Sequence, residues 1–124
     1  MSTKILIVDD DPVVRLLMQE CLAGFGFEVA ALKSGRECLE HLAVSQPDLL
    51  VLDLLMPDMS GIDVMRKLKE SPTLAALPVI VLSAHNDTER LLESSVVHPD
   101  GILQKPFAVK DILEVVRGLH PSKE

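Results

Sequence analysis

The stretch "LLVLDLLMPDMSG", residues 49–61, drives four apolar residues straight into Asp53 and then into a turn rich in Pro, Asp, Ser and Gly. A continuous apolar run without polar alternation suits a strand buried on both faces, as in a parallel sheet. An aspartate more often caps a helix or turns a loop than ends such a run. Asp53 is therefore the residue to explain.

Similar runs recur on either side: "ILIV" at 5–8 and "VIVL" at 79–82, with weaker ones at "FEVAAL" (27–32) and "GILQ" (101–104). Segments with helical spacing lie between them. Asp11-Pro12 offers an N-cap followed by Pro at the first helical position, ahead of Val13, Leu16, Leu17, Met18, Cys21 and Leu22. Gly24 and Gly26 stop that helix. "SGRE" at 34–37 is a capping box before Leu39 and Leu42, and Ser60 opens a segment with Ile62, Met65 and Leu68 on one face. "ND" at 86–87 precedes Leu91 and Leu92, and Ala108 to Leu119 forms a last amphipathic helix. The order is (βα)₅. Five units are too few for an eight-stranded barrel, so a doubly wound five-stranded parallel sheet is expected, with the flavodoxin-like order 2-1-3-4-5.

The 124 residues fit one domain, 1–124, long enough to bury a core without metal or disulfide staples. Tyr and Trp are absent and Phe occurs three times, so the core is aliphatic and platforms for stacking bases are scarce. A net charge of −7 also argues against nucleic acid, whose phosphates reward Lys and Arg. Cys21 and Cys38 lie in helical segments without C-x-x-C or metal-ligand spacing, and read as buried reduced thiols. No run approaches the ~18 apolar residues of a membrane span, and the amino terminus is no signal peptide. A cytoplasmic protein is the expectation, with no output domain in this chain.

In a doubly wound sheet, ligands bind beyond the carboxyl ends of the strands where strand order reverses. Strand one ends in Asp9, Asp10 and Asp11, and strand three ends in Asp53. Strand four ends in Ser83 and the small Ala84, and strand five at Lys105 and Pro106. Clustered carboxylates repel one another, and a hard divalent cation with oxygen ligands relieves them. Asp10 and Asp53 can supply carboxylates to Mg²⁺, with Asp9 holding a coordinated water. One carboxylate can instead attack a phosphoryl group, giving an acyl phosphate. Lys105 would then neutralise charge, Ser83 donate a hydrogen bond and Ala84 leave room. A cis Lys105–Pro106 bond is one way to aim Lys105 inward.

Taken together, "VDDD" (8–11), "LDLLMPDMSG" (52–61), "LSAH" (82–85) and "KPF" (105–107) resemble the receiver domains of two-component response regulators, over essentially the whole chain. The resemblance implies that Asp53 is the phosphoacceptor and that Asp9 and Asp10 form the acidic Mg²⁺ site. It implies that the Leu55 backbone carbonyl is a further metal ligand, and that Ser83 and Lys105 bind phosphate. The implied donor is a sensor histidine kinase or phosphotransfer protein, and the domain catalyses only its own phosphorylation and dephosphorylation. Asp11 reads as an N-cap, and Asp58 and Asp63 as loop and first-turn residues.

The chain departs from the family pattern at Ile102, where a Tyr or Phe usually sits three residues before the Lys. An aliphatic residue cannot give the same ring movement, so output is expected through backbone and fourth-helix displacement. A core isoleucine without a switching role is the alternative. Leu55 and His85 flank the phosphoryl position and are expected to control access of the hydrolytic water. His41, His98 and His120 lack ligand spacing. Leu91, Leu92, Val96 and Val97 make the fourth helix apolar, and with the last strand and helix they suggest the family's partner surface. The competing function is a phosphorylation-independent, receiver-like interaction scaffold. A Mg²⁺-dependent phosphohydrolase ranks below both, because Leu54 and Leu55 follow Asp53 where a general acid would be needed.

Overall fold

The computed structural model describes residues 3–84 and 99–119. Five strands, β1 (Lys4–Val8), β2 (Glu28–Leu32), β3 (Leu49–Asp53), β4 (Val79–Ala84) and β5 (Gly101–Lys105), form one sheet in the order β2-β1-β3-β4-β5. Every neighbouring pair is parallel. Four helices are described: α1 (Pro12–Gly24), α2 (Gly35–Val44), α3 (Gly61–Lys69) and the C-terminal α4 (Val109–Leu119). The helix expected between β4 and β5, with Leu91, Leu92, Val96 and Val97, lies outside the described residues, as do His85, His98 and His120.

The strength of each apolar run follows its place in the sheet. The three continuous runs are the central strands β1, β3 and β4, and β3 is buried along its whole length. The two weaker runs are the edges, half-exposed in β2 and alternating in β5. Because side chains alternate across a strand, each central run feeds two cores. Leu6, Val8, Leu50 and Leu52 pack with Cys38 and Leu42 of α2 and with Ile62, Val64, Met65 and Leu68 of α3. Ile5, Ile7, Leu49 and Val51 pack on the other face with Met18 and Leu22 of α1 and Ile112 and Val116 of α4.

Local side-chain chemistry sets the helix starts. Asp11 accepts from Val13 N–H, Ser34 from Glu37 N–H and Ser60 from Asp63 N–H. Glu37 completes its box one residue early, accepting from Lys33 N–H. Gly26, at φ 95°, turns the chain out of α1 in the left-handed region. Two further aspartates tie the sheet at its opposite end. Asp48 exchanges hydrogen bonds with Lys4, and Asp100 with Val79, each using its own N–H and its carboxylate.

Three sequence expectations need adjusting. Val13, Leu16 and Leu17 share the helical pattern of α1 but face solvent, 71%, 57% and 44% exposed. Ile102 is 44% exposed on edge strand β5, so it is not a core isoleucine. Cys38 is buried as expected, whereas Cys21 is only partly so.

Candidate functional site

The carboxyl ends of β1, β3 and β5 bring three charged groups together. Val8 is level with Leu52 in the register, so Asp9, one residue on, lies abreast of Asp53 at the end of β3. Both are buried, Asp9 fully and Asp53 to 4% exposure, while Asp10 is exposed. Lys105 reaches in from the end of β5 and places its ammonium 2.9 Å from Asp9 Oδ2 and 3.6 Å from Asp53 Oδ1. The Lys105–Pro106 bond is cis. Ser83 is buried at the end of β4, one residue beyond the position level with Asp53, and Ala84 is level with Lys105.

The electrostatics follow from burial. Desolvation raises the Asp53 pKa, the nearby Asp9 charge and a side-chain hydrogen bond with Asp10 raise it further, and Lys105 and the Leu55 N–H offset part of this, leaving it at about 7. Burial by itself would lower the Lys105 pKa, but the two carboxylates outweigh it and hold the ammonium above its ordinary range. One oxygen of Asp9 is satisfied, accepting from Asp11 N–H at 2.9 Å. The other, Oδ2, is buried and faces the Lys105 ammonium at 2.9 Å.

The donor set around that oxygen tests whether the site suits a cation. Ligand atoms of Asp9, Asp10 and Asp53 all lie within 4.8 Å of one another. Two buried carboxylates, one exposed carboxylate and one ammonium leave an excess of negative charge with only hard oxygen donors. This set fits Mg²⁺ rather than a thiolate- or imidazole-seeking metal.

Four residues outside the sequence-predicted set shape the site. Arg15 donates from Nη1 to the Asp9 carbonyl oxygen at 2.8 Å, bracing the turn between β1 and α1. Gly61 donates to the Leu54 carbonyl at 2.8 Å, and a Cβ there would stand 2.7 Å from the Asp53 carbonyl oxygen. Only glycine lets α3 start so close to the end of β3. Asp58 accepts from Gly35 N–H at 3.2 Å and Arg36 N–H at 3.0 Å. These bonds, that from Arg36 foremost, hold its carboxyl below the ordinary range. A Cβ on Gly35 would lie 3.1 Å from Met59 Cβ. The glycines stand at helix starts, which the sequence does reveal, whereas the Arg15 and Asp58 contacts have no local signature. Leu55, whose side chain is 48% exposed, begins the loop that Asp58 fastens.

Comparison with known proteins gives the family and the fold. The response regulator receiver domain family matches residues 5–117. The response regulator MprA of Mycobacterium ulcerans is 38% identical over 119 residues, covering 96% of this chain and 50% of that protein. The DNA-binding response regulator MtrA of Mycolicibacterium smegmatis is 35% identical over 117 residues, covering 94% of this chain and 50% of that protein. The chain thus spans about half the length of these curated relatives. Among solved structures, the chemotaxis response regulator CheY4 of Vibrio cholerae superposes with a TM-score of 0.89 at 26% identity, covering 96% of this chain and 99% of that one. Among the described residues, no helix is long and apolar enough to cross a membrane.

Proposed function

The chain belongs to the response regulator receiver domain family of two-component signal transduction, and on that premise we propose that residues 1–124 act as one cytoplasmic receiver module. In this reading the module takes a phosphoryl group from a sensor histidine kinase or phosphotransfer protein onto Asp53. The supporting observation is a buried carboxylate at the rigid end of a central strand, sharing one ammonium with a second buried carboxylate.

Asp9, Asp10 and Asp53, with the Leu55 backbone carbonyl, would hold Mg²⁺, which supplies neutralisation of the phosphoryl oxygens when bound. The chain's own groups do the rest. A carboxylate oxygen of Asp53 forms the new O–P bond while the donor's N–P bond breaks and the imidazole leaves. The buried strand end holds that oxygen in place for in-line attack. Lys105 exchanges part of its pairing with Asp53 for the incoming phosphoryl oxygens, as a point charge needing no bidentate geometry. The Ser83 hydroxyl donates to another phosphoryl oxygen, and Ala84 is small enough to admit it. Control of the hydrolytic water's access falls to Leu55 and, by its place in the sequence, to His85.

Phosphorylation then alters partner binding through the surface around β5 and α4, where Ile102 replaces the usual aromatic residue. The test is intact mass after incubation with a small acyl phosphate, with and without Mg²⁺, beside Asp53→Asn. One Mg²⁺-dependent phosphoryl adduct, lost in the variant, is the expected result. A wild type that binds Mg²⁺ yet takes up no phosphoryl group would favour the interaction-scaffold reading.

A further inference from the structure

The loop from Leu54 to Ser60 carries the chain from the end of β3 to α3, and its fastenings are uneven. At its start Leu54 N–H bonds to the Leu82 carbonyl at 2.9 Å, and the Leu54 carbonyl accepts from Gly61 N–H at 2.8 Å. At its end Ser60 caps α3. Between these points the backbone is fastened from outside, by Asp58. Its two carboxylate oxygens take the N–H groups of Gly35 and Arg36, the first two residues of α2, which no turn of that helix can satisfy. Ser34 already serves Glu37 N–H, so the two caps divide the helix start between them. The neighbouring Met59 packs on Gly35, where a Cβ would come within 3.1 Å of it. An ion-charged acceptor and an apolar contact therefore pin the same point of the loop to the same turn of α2.

We propose that Asp58 is a positioning residue for the cation site, holding the loop so that the Leu55 backbone stays turned towards Asp53. The inference rests on the reading of Asp9, Asp10, Asp53 and Leu55 as the Mg²⁺ ligands. Leu55 lies three residues before Asp58, with a side chain 48% exposed. Its N–H lies near enough to the Asp53 carboxylate to draw that group's pKa down. When Asp58 lets go, the backbone at Leu55 must be ordered as the cation binds. Fixing one loosened residue corresponds to a roughly fivefold or greater loss of affinity.

The experiment compares Asp58→Ala, Asp58→Asn and Asp48→Ala with the wild type. Asp48 also uses its carboxylate to cap a backbone N–H, that of Lys4, but at the far end of the sheet. Mg²⁺ binding is followed by the amide NMR shifts of the chain, and Mg²⁺ half-saturation by the rate of adduct formation with an acyl phosphate. Asp58→Ala is expected to weaken Mg²⁺ about fivefold in both readouts, with the rate at saturating Mg²⁺ within twofold of wild type. Asp58→Asn, which keeps one acceptor oxygen, should fall between. Asp48→Ala should lose stability and leave Mg²⁺ affinity unchanged. Equal Mg²⁺ affinity in wild type and Asp58→Ala would overturn the positioning role while leaving the phosphoacceptor reading intact. A wild type that binds no Mg²⁺ at all would overturn both.

Discussion

Asp53→Asn, studied without divalent cations, isolates the energetic cost of the candidate phosphoacceptor. The folded protein holds the Asp53 pKa at about 7, against 3.8 for the free carboxyl, mainly by desolvation. Between those values the folded state keeps a proton that the unfolded chain has released. Stability therefore falls as pH rises through this window and levels off above about 7. A tenfold change in proton affinity is worth about 1.4 kcal/mol, so the cost reaches about 4 kcal/mol at pH 8 and about 2 kcal/mol at pH 5. Lys105 adds no slope in this range. Its pKa is raised above 10.5, so its contribution is present throughout and is lost only in stronger alkali. The assay is denaturant unfolding in EDTA at half-unit steps from pH 5 to pH 8. Wild type should lose about 2–3 kcal/mol across the series, and Asp53→Asn should lose little. At pH 8 the variant should be the more stable protein, by an amount that is a large part of a domain's usual 5–15 kcal/mol. Parallel curves for the two proteins would refute the reasoning, because the slope would then belong to other groups.

The remaining predictions test the parts around that carboxylate. Lys105→Met leaves Asp9 and Asp53 facing each other without a cation, and should destabilise the Mg²⁺-free protein more at pH 8 than at pH 5, by several kcal/mol at the higher pH in the same unfolding assay. In the proposed site Mg²⁺ takes the ionised Asp53 carboxylate, so calorimetric affinity should rise about tenfold per pH unit up to about 7 and then flatten, with proton release below that point. A pH-independent affinity from pH 5.5 to 8 would count against Asp53 as a ligand. Gly61→Ala puts a methyl 2.7 Å from the Asp53 carbonyl and should cost about 1–3 kcal/mol, whereas Gly118→Ala, with nothing within 4 Å, should stabilise by about 0.5–1 kcal/mol in thermal unfolding. Leu55→Asn offers a hydrogen bond that leucine cannot, so its phosphorylated form should lose phosphate faster than wild type, as read by the decay of the adduct mass. Equal decay would remove Leu55 from control of water access.

The sequence reveals most where the physics is local. Continuous apolar runs mark β1, β3 and β4 because these strands are covered on both faces, and the weaker runs mark the edges for the converse reason. Asp11, Ser34 and Ser60 are readable as caps because each bonds a backbone N–H two or three residues away. Their neighbours in space are not readable in the same way. Asp58 looks like a turn residue until α2, 23 positions earlier in the chain, arrives beside it. Periodicity in α1 likewise fails to separate the core residues Met18 and Leu22 from Val13, Leu16 and Leu17, since both sets are apolar and only the packing of the sheet decides which face is covered. Ile102 illustrates the same limit. Its strand is legible, but its exposure depends on lying at an edge.

The pairing of the most hydrophobic run with a single carboxylate has an energetic explanation. Leu49, Leu50, Val51 and Leu52 are all fully buried, and burying such side chains stabilises by about 1.5–3 kcal/mol each. The run therefore contributes roughly 6–12 kcal/mol, more than the roughly 4 kcal/mol that ionised Asp53 costs at the end of it. A strand less firmly held would relieve the carboxylate by moving, letting Asp53 reach water and return towards an ordinary pKa. A firmly held one leaves it partly desolvated, beside Asp9 and Lys105, with its unfavourable electrostatics unrelieved by the protein alone. Whatever cation or phosphoryl group then binds there gains the energy that the strand has refused to release. The hydrophobic run thus makes Asp53 expensive to ionise in the free protein and, by the same rigidity, would tighten the binding of a cation or phosphoryl group there.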